Sequence, residues 1–166
     1  MLVRPLRADE WPLLRELRLR ALADAPEAFA STHAREAAAP ERMWRERAAG
    51  GPEIITLLAT TGPEEDGAAP AGMTTVRLEG ERPPRGHLLG MWVDPAHRGL
   101  GIAGELIDAA AGWARARGAT ELVLWVVDGN TAALRAYRRA GFEPTGDHQP
   151  LPSRPELSES MLRLTL

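Results

Sequence analysis

Trp11, Leu14, Leu17 and Ala21 recur at helical spacing and predict a first helix from about residue 11 to 23, with Asp9 as N-cap and a short strand over residues 2–7 before it. Asp24-Ala25-Pro26 breaks that pattern. Residues 27–38 have weak periodicity and read as a loop. A second helix starts after Pro40, with Met43, Trp44 and Arg47 on successive turns, and Gly50-Gly51-Pro52 ends it. The spacing then changes. Residues 54–60 are apolar and β-branched, which predicts a strand, and an acidic, glycine- and proline-rich hairpin loop over 62–70 turns it back into an antiparallel strand over 71–78.

After a turn over 80–86 the pattern becomes strand, helix, strand, helix, strand. The strands are residues 88–93, residues 121–127, which are almost uniformly apolar as a strand covered on both faces should be, and residues 142–148. The first intervening helix carries Ile102, Leu106, Ala110 and Trp113 on one stripe and runs to about Arg117 before Gly118. The second spans 130–140 and stops at Gly141. A proline-rich loop over 150–155 precedes a last strand over 158–164. Antiparallel strands in the first half and strand–helix alternation in the second predict an α/β (α+β) fold. Its sheet is mixed and mostly antiparallel, with about seven strands and helices on both faces.

Length and composition narrow the class. A chain of 166 residues, 44% hydrophobic and 26% charged, fits a single domain over 1–166 with one buried core. No apolar run approaches the roughly 20 residues that span a bilayer, and no signal-type apolar core follows Arg4 and Arg7, so the reading is cytoplasmic with no membrane partner. The net charge of -3 argues against nucleic acid as a partner. There is no cysteine, which excludes disulfides, thiolate metal sites and a cysteinyl acyl-enzyme intermediate. No metal is expected.

The chemistry concentrates where the strand over 88–93 meets the helix that follows. Asp94-Pro95 ends the strand, and Arg98-Gly99-Leu100-Gly101-Ile102-Ala103 leads into the helix. The first N–H groups of a helix lack intrahelical partners and lie at the positive end of the macrodipole, so anions bind there. Glycine at 99 and 101 permits close approach of backbone to a diphosphate, and Arg98 adds a fixed positive charge. By itself Gly99-Leu100-Gly101 also suits a tight strand-to-helix turn. No Gly-Lys-Ser/Thr follows it.

Arg98-Gly99-Leu100-Gly101-Ile102-Ala103 resembles the Arg/Gln-x-x-Gly-x-Gly/Ala pyrophosphate loop of the GNAT superfamily of acyl-CoA-dependent N-acyltransferases. The run from Asn130 through Ala133 and Tyr137 to Gly141-Phe142 is similar to that family's Asn-x-x-Ala-x-x-x-Tyr-x-x-x-Gly-Phe segment. The resemblance extends from about residue 86 to 143. It implies acetyl-CoA as cosubstrate and direct transfer of the acetyl group to a primary amine in a ternary complex. By position, it implies that the backbone of Met91, Trp92 and Val93 binds the pantetheine arm, that a backbone N–H of Val93 or Trp92 faces the developing oxyanion, and that residues 98–103 bind the diphosphate. Asn130 would bond the cofactor arm as well as cap its helix. Tyr137, the only tyrosine, would protonate the departing thiolate.

Many relatives place a glutamate near the start of the fourth strand as general base, and this sequence departs from them. Residues 88–93 hold no carboxylate, and the ionisable group at the strand's beginning is His87. Imidazole, with a pKa near ~6.5, suits a base that relays the acceptor's proton through water; Glu79 and Glu81 are the alternatives. Phe29, Ser31 and Trp44 are candidates for shaping the acceptor pocket, in the region where the resemblance is weakest. The missing carboxylate keeps a non-catalytic acyl-CoA-binding or sensory module open, and an acetyltransferase acting on a protein N-terminus or side chain differs only in its acceptor. Dimerisation to a homodimer is common in the family, and no apolar strip in this sequence decides it.

Overall fold

The computed structural model describes residues 1–62 and 68–166; the tip of the loop expected over 62–70 lies outside the described residues. Seven strands form one sheet in the order β1-β2-β3-β4-β5-β7-β6. They are β1 (Leu2–Pro5), β2 (Ile54–Thr60), β3 (Pro70–Glu79), β4 (Arg85–Val93), β5 (Glu121–Val127), β6 (Glu143–Leu151) and β7 (Arg154–Thr165). Among the described residues only β4 and β5 are parallel; the other pairs are antiparallel. This is the mixed, mostly antiparallel sheet that the pattern of elements predicts.

Among the described residues, five α-helices cover the two faces: α1 (Trp11–Asp24), α2 (His33–Ala37), α3 (Glu41–Ala49), α4 (Ile102–Arg115) and α5 (Thr131–Arg139). Leu14, Leu17, Ala21 and Leu22 of α1 pack with Trp44 and Ala48 of α3 against Leu58, Met73 and Trp92 on one face of the sheet. On the other, Ile102, Leu106, Ile107 and Ala110 of α4 pack with Tyr137 and Phe142 against Leu57, Val76, Leu88, Leu122 and Leu124. Directly paired residues share a face of a sheet, and residues two apart along a strand do as well. Thr75, Arg77, His87, Leu89, Val123, Val127 and Glu159 therefore all lie on the α1–α3 face.

Several local expectations change. The loop over 27–38 contains a 3-10 turn at Pro26–Ala28 and the short helix α2, capped by the Thr32 side chain, which accepts from the Arg35 N–H at 3.2 Å. The N-cap of α1 is Glu10 rather than Asp9, because Ala8–Glu10 form a 3-10 turn that leads into the helix at Trp11. β4 begins at Arg85, three residues earlier than its apolar run, because Arg85 and Gly86 pair across to Glu79 and Leu78. The prolines over 150–155 do not make a long loop. β6 runs through Pro150 to Leu151 and turns directly into β7. β6 is an edge strand, where a residue without an N–H costs no ladder bond if that side faces outward.

Two irregularities of β4 position everything that follows. The β3–β4 register shifts by one residue between the Thr75–Leu89 pair and the Met73–Trp92 pair, so one extra residue is inserted in β4. Gly90 occupies this bulge at φ +60°, a conformation side chains disfavour. The shift exchanges faces: Trp92 lies on the α1–α3 side and Met91 packs toward α4. The β4–β5 ladder contains only Gly86–Leu122 and His87–Val123. Beyond His87 the two strands part.

Candidate functional site

The opening between β4 and β5 is bounded on the β4 side by residues 88–93, whose β5-facing edge has no strand partner among the described residues. Met91, Trp92 and Val93 sit at its far end. The Met91 side chain packs against the α4-side core, and the Trp92 side chain is buried with its indole N–H donating to Asp24 Oδ2 at 2.9 Å. These two side chains have structural partners, which leaves their backbone as the part able to meet a ligand. The Val93 carbonyl accepts from Arg98 Nε at 3.1 Å.

The chain turns into α4 immediately past β4. Asp94 caps a 3-10 turn by accepting from the Ala96 N–H at 2.9 Å, and Arg20 pairs with its other oxygen. Gly99 and Gly101 then take φ +82° and +83°. Gly101 is the N-cap of α4, in the left-handed region, and supplies no side chain to bond the helix's first N–H groups. A Cβ built on either glycine meets nothing within 4 Å, so backbone here borders open space. Leu100 is exposed, whereas Ile102 is completely buried under α4. Ile102 and Ala103 therefore contribute N–H groups to the helix end, and the Ile102 side chain belongs to the core. Arg98 is engaged: its guanidinium pairs with Asp24, the last residue of α1, which also holds the Trp92 indole.

α5 starts beside the end of β5. Asn130 caps it, accepting from the Ala133 N–H at 3.2 Å. Two turns on, Tyr137 packs edge-on to Phe142 with ring centroids 5.6 Å apart. Its hydroxyl makes no hydrogen bond to any described residue. Burial pushes the phenol well above its ordinary value, so it stays protonated at any physiological pH.

His87 lies on the opposite face of the sheet from Tyr137, two residues along β4 from Leu89 and in the last β4–β5 pair, opposite Val123. It is half-buried. Burial lowers its pKa below that of a free imidazole, more than the nearby Glu79 raises it; Arg77 and Arg85 also lower it. His87 is therefore neutral at pH 7, with Nε2 3.3 Å from Glu79 Oε2.

Of the three residues expected to shape an acceptor pocket, two are packing residues. Trp44 is 0% exposed, because α3 turns it inward onto α1 and the sheet. Phe29 is buried as well, under the Arg18 guanidinium 4.7 Å from its ring centroid. Its carbonyl accepts from Ser153 Oγ at 2.5 Å, which ties this segment to the β6–β7 turn. Ser31 is half-buried and helps lower the pKa of the Glu36 carboxyl.

Two carboxylates on this face escape a reading of the sequence. Glu36 is 3% exposed and takes Arg18 Nε at 3.0 Å, Arg18 Nη2 at 2.9 Å and Arg47 Nη1 at 3.0 Å. Burial raises its pKa, but the bond and charge of Arg18 and the charge of Arg47 outweigh that and hold it below the ordinary carboxylate value. Glu159 on β7 is buried opposite Val127 and accepts from Gln149 Nε2 at 2.6 Å. There burial dominates and raises the carboxyl above its usual value; the Gln149 bond lowers it, and Asp128 adds to the rise. Neither carries a motif signal, since each lies in a short segment of ordinary composition.

The model of the Acetyltransferase (GNAT) family matches residues 14–142. Streptothricin acetyltransferase of Streptomyces lavendulae is 52% identical over 50 residues, 30% of this chain and 26% of that protein. Mycothiol acetyltransferase of Streptosporangium roseum is 41% identical over 59 residues, 36% of this chain and 18% of that one. The aligned part spans about a quarter or less of the length of such curated relatives. Among solved structures, nourseothricin acetyltransferase superposes with a TM-score of 0.61 at 29% identity, covering 69% of this chain and 66% of that one. The GNAT domain of S. lividans PAT reaches a TM-score of 0.78 over 99% of this chain and 89% of that one, at 18% identity, a likeness of fold. With a family model spanning most of the sequence, residues 14–142, the chain belongs to the GNAT family of acetyltransferases.

Proposed function

We propose that this protein is an acetyl-CoA-dependent N-acetyltransferase that passes the acetyl group directly to a primary amine. The observation that carries the reading is the parting of β4 from β5 after His87, which leaves a free strand edge between an uncapped helix N-terminus on one face and a pocket-bearing surface on the other. The residues present fit acetyl-CoA. The free N–H groups at the start of α4 and the open space beside Gly99 and Gly101 suit a diphosphate. The unpaired edge of residues 88–93 suits an amide-bearing arm that adds like a strand. When bound, acetyl-CoA supplies an activated acyl group on a good leaving thiolate.

The chain's own residues then have separable tasks. Backbone N–H groups of Trp92 or Val93 serve as donors to the acyl oxygen as it gains negative charge. Tyr137 holds a proton at its hydroxyl and gives it to the leaving sulfur, a role consistent with a phenol kept protonated by burial. His87 takes the amine's proton through water, being neutral at pH 7 and on the acceptor side. Glu159 is a second candidate base, favoured by its raised pKa and its place on the same face. Arg98 exchanges Asp24 for the diphosphate.

The test is steady-state release of CoA by the purified chain with acetyl-CoA and a panel of free amines and peptides. Turnover that requires both substrates and saturates with a free amine is the expected result. Acetyl-CoA binding without turnover by any amine or peptide would favour the non-catalytic module, and turnover confined to peptides would favour a protein acetyltransferase. Among the described residues no helix is long and apolar enough to cross a membrane, and no three acidic or histidine side chains are grouped to hold a metal ion.

A further inference from the structure

A cavity of about 250 Å³ opens on the α1–α3 face against the bulge of β4. Arg18 of α1, Arg47 of α3 and Arg77 of β3 line it together with Thr75, Leu89 and Gly90, and no acidic residue lines it. Its size is somewhat below the ~300–1,000 Å³ of sites for drug-sized ligands, which suits a small acceptor. The location suits one too, since Gly90 lies just past the point where β4 leaves β5.

The charges around this cavity do not balance. Arg18 and Arg47 share one carboxylate, Glu36, behind the wall. Arg77 pairs with the half-exposed Glu79 at 2.6 Å. His87, opposite Arg77 on β4, is neutral at pH 7. Three guanidinium groups against two carboxylates leave one positive charge in surplus.

Donors remain as well. Glu36 occupies Nε and Nη2 of Arg18, while Nη1 makes no hydrogen bond to a described residue and lies 3.3 Å from the position of a Cβ on Gly90. That free N–H group faces the bulge from the side on which an acceptor would approach. A structural brace between α1, α2 and α3 explains Glu36 and its two arginines. It does not explain a third arginine, or an unused Arg18 donor turned toward β4.

We infer that this cavity binds an anionic group of the acceptor, so that the natural acceptor is a small amine carrying a carboxylate, phosphate or phosphonate rather than a neutral amine or a polyamine. Arginine is suited to the task because its planar fork matches both carboxylate and phosphate geometry. This inference rests on the transfer reading above.

The experiment compares matched acceptors: 4-aminobutyrate, 3-aminopropylphosphonate, the neutral 4-aminobutyramide and 1,4-diaminobutane. Each is measured for kcat/KM in acetyl-CoA turnover and for binding by calorimetry. An anionic acceptor should exceed the amide by about 10-fold or more, the scale of a hydrogen bond to a charged group. Arg77→Gln should shrink that ratio several-fold while leaving acetyl-CoA affinity alone; Arg77 is chosen because it does not hold the buried Glu36. Whether the carboxylate or the phosphonate leads identifies the source of the charge. Equal or better use of the amide or the diamine would overturn the proposal, as would a ratio unmoved in the variant. If acetyl-CoA binds and no amine is acetylated, the transfer reading fails, and calorimetry alone judges the cavity. Tighter binding of 4-aminobutyrate or 3-aminopropylphosphonate than of the amide, weakened by Arg77→Gln, then supports it, and equal binding overturns it.

Discussion

On the α4–α5 side of the sheet, the groups around the opening between β4 and β5 come from one continuous stretch, residues 88–137, and most of them are backbone: a free strand edge, two glycines and a helix end. On the α1–α3 side, Arg18, Glu36, Arg47, Arg77, His87 and Glu159 come from six different elements and act through side chains. A site built of backbone needs particular residues at fixed spacing, because only glycine takes these φ values freely and only certain residues cap a helix. A site built of side chains needs only that the fold bring them together. The proposed cofactor side is therefore readable as a local sequence pattern, and the proposed acceptor side is not.

The strongest attempt to break this contrast is Tyr137→Phe, since Tyr137 is the one side chain on the α4–α5 face proposed to move a proton. Its hydroxyl bonds no described residue, so removal orphans nothing, and the ring still packs on Phe142. Folding and most acetyl-CoA affinity should survive, while kcat and kcat/KM fall together by ~10²–10⁴-fold. A kcat near wild type, when chemistry limits the rate, would make the residue a packing element and leave that face without a proton-donating side chain.

Glu36→Ala probes the α1–α3 face in the same way. It leaves Arg18 and Arg47 as uncompensated neighbours and should cost about 3–5 kcal/mol of stability by urea unfolding. A loss below 1 kcal/mol would mean that water replaces the carboxylate and that α2 contributes little to holding this side together.

Gly101→Val sharpens the claim about backbone. With φ at +83° the substitution strains the turn, at about 1–3 kcal/mol of stability. Gly118→Val, at φ +85° past the other end of α4, should share that loss. Only the change at 101 should also weaken acetyl-CoA binding, measured by calorimetry well below the melting temperature. Equal affinities in the two variants would remove residues 98–103 from the diphosphate site.

The smallest effect concerns pH. Burial lowers the folded-state pKa of His87 below the roughly 6.5 of an unfolded histidine, so as pH falls the unfolded chain takes up this proton first. The stability present above about pH 6.5 is then lost as the pH drops through the folded value. His87→Gln should flatten the fall in melting temperature between pH 7 and 5. An unchanged profile would place the imidazole in a more watery setting than a shared proton-accepting face requires.

Much of the fold is legible in the sequence. The helical stripe of Ile102, Leu106 and Ala110, the apolar run over 121–127 and the break at Asp94-Pro95 place α4, β5 and the end of β4, because each is enforced by local geometry and burial at once. The glycine turn at 99 and 101 and the Asn130 cap, on which the proposed cofactor side rests, are legible for the same local reason. Tertiary structure alone decides the rest. Trp44 reads as a pocket residue and is core, since one helix face looks like another until its partner is known. The bulge at Gly90 is invisible as a pattern, yet it decides that Trp92 faces α1 and that Arg18 meets β4. Whether a charge is spare depends on pairings across the chain: Arg18 with Glu36, Arg98 with Asp24, Glu159 with Gln149. Local spacing fixes backbone conformation, which is a short-range property; electrostatics and desolvation depend on every group nearby in space, and only the folded sheet determines which groups those are.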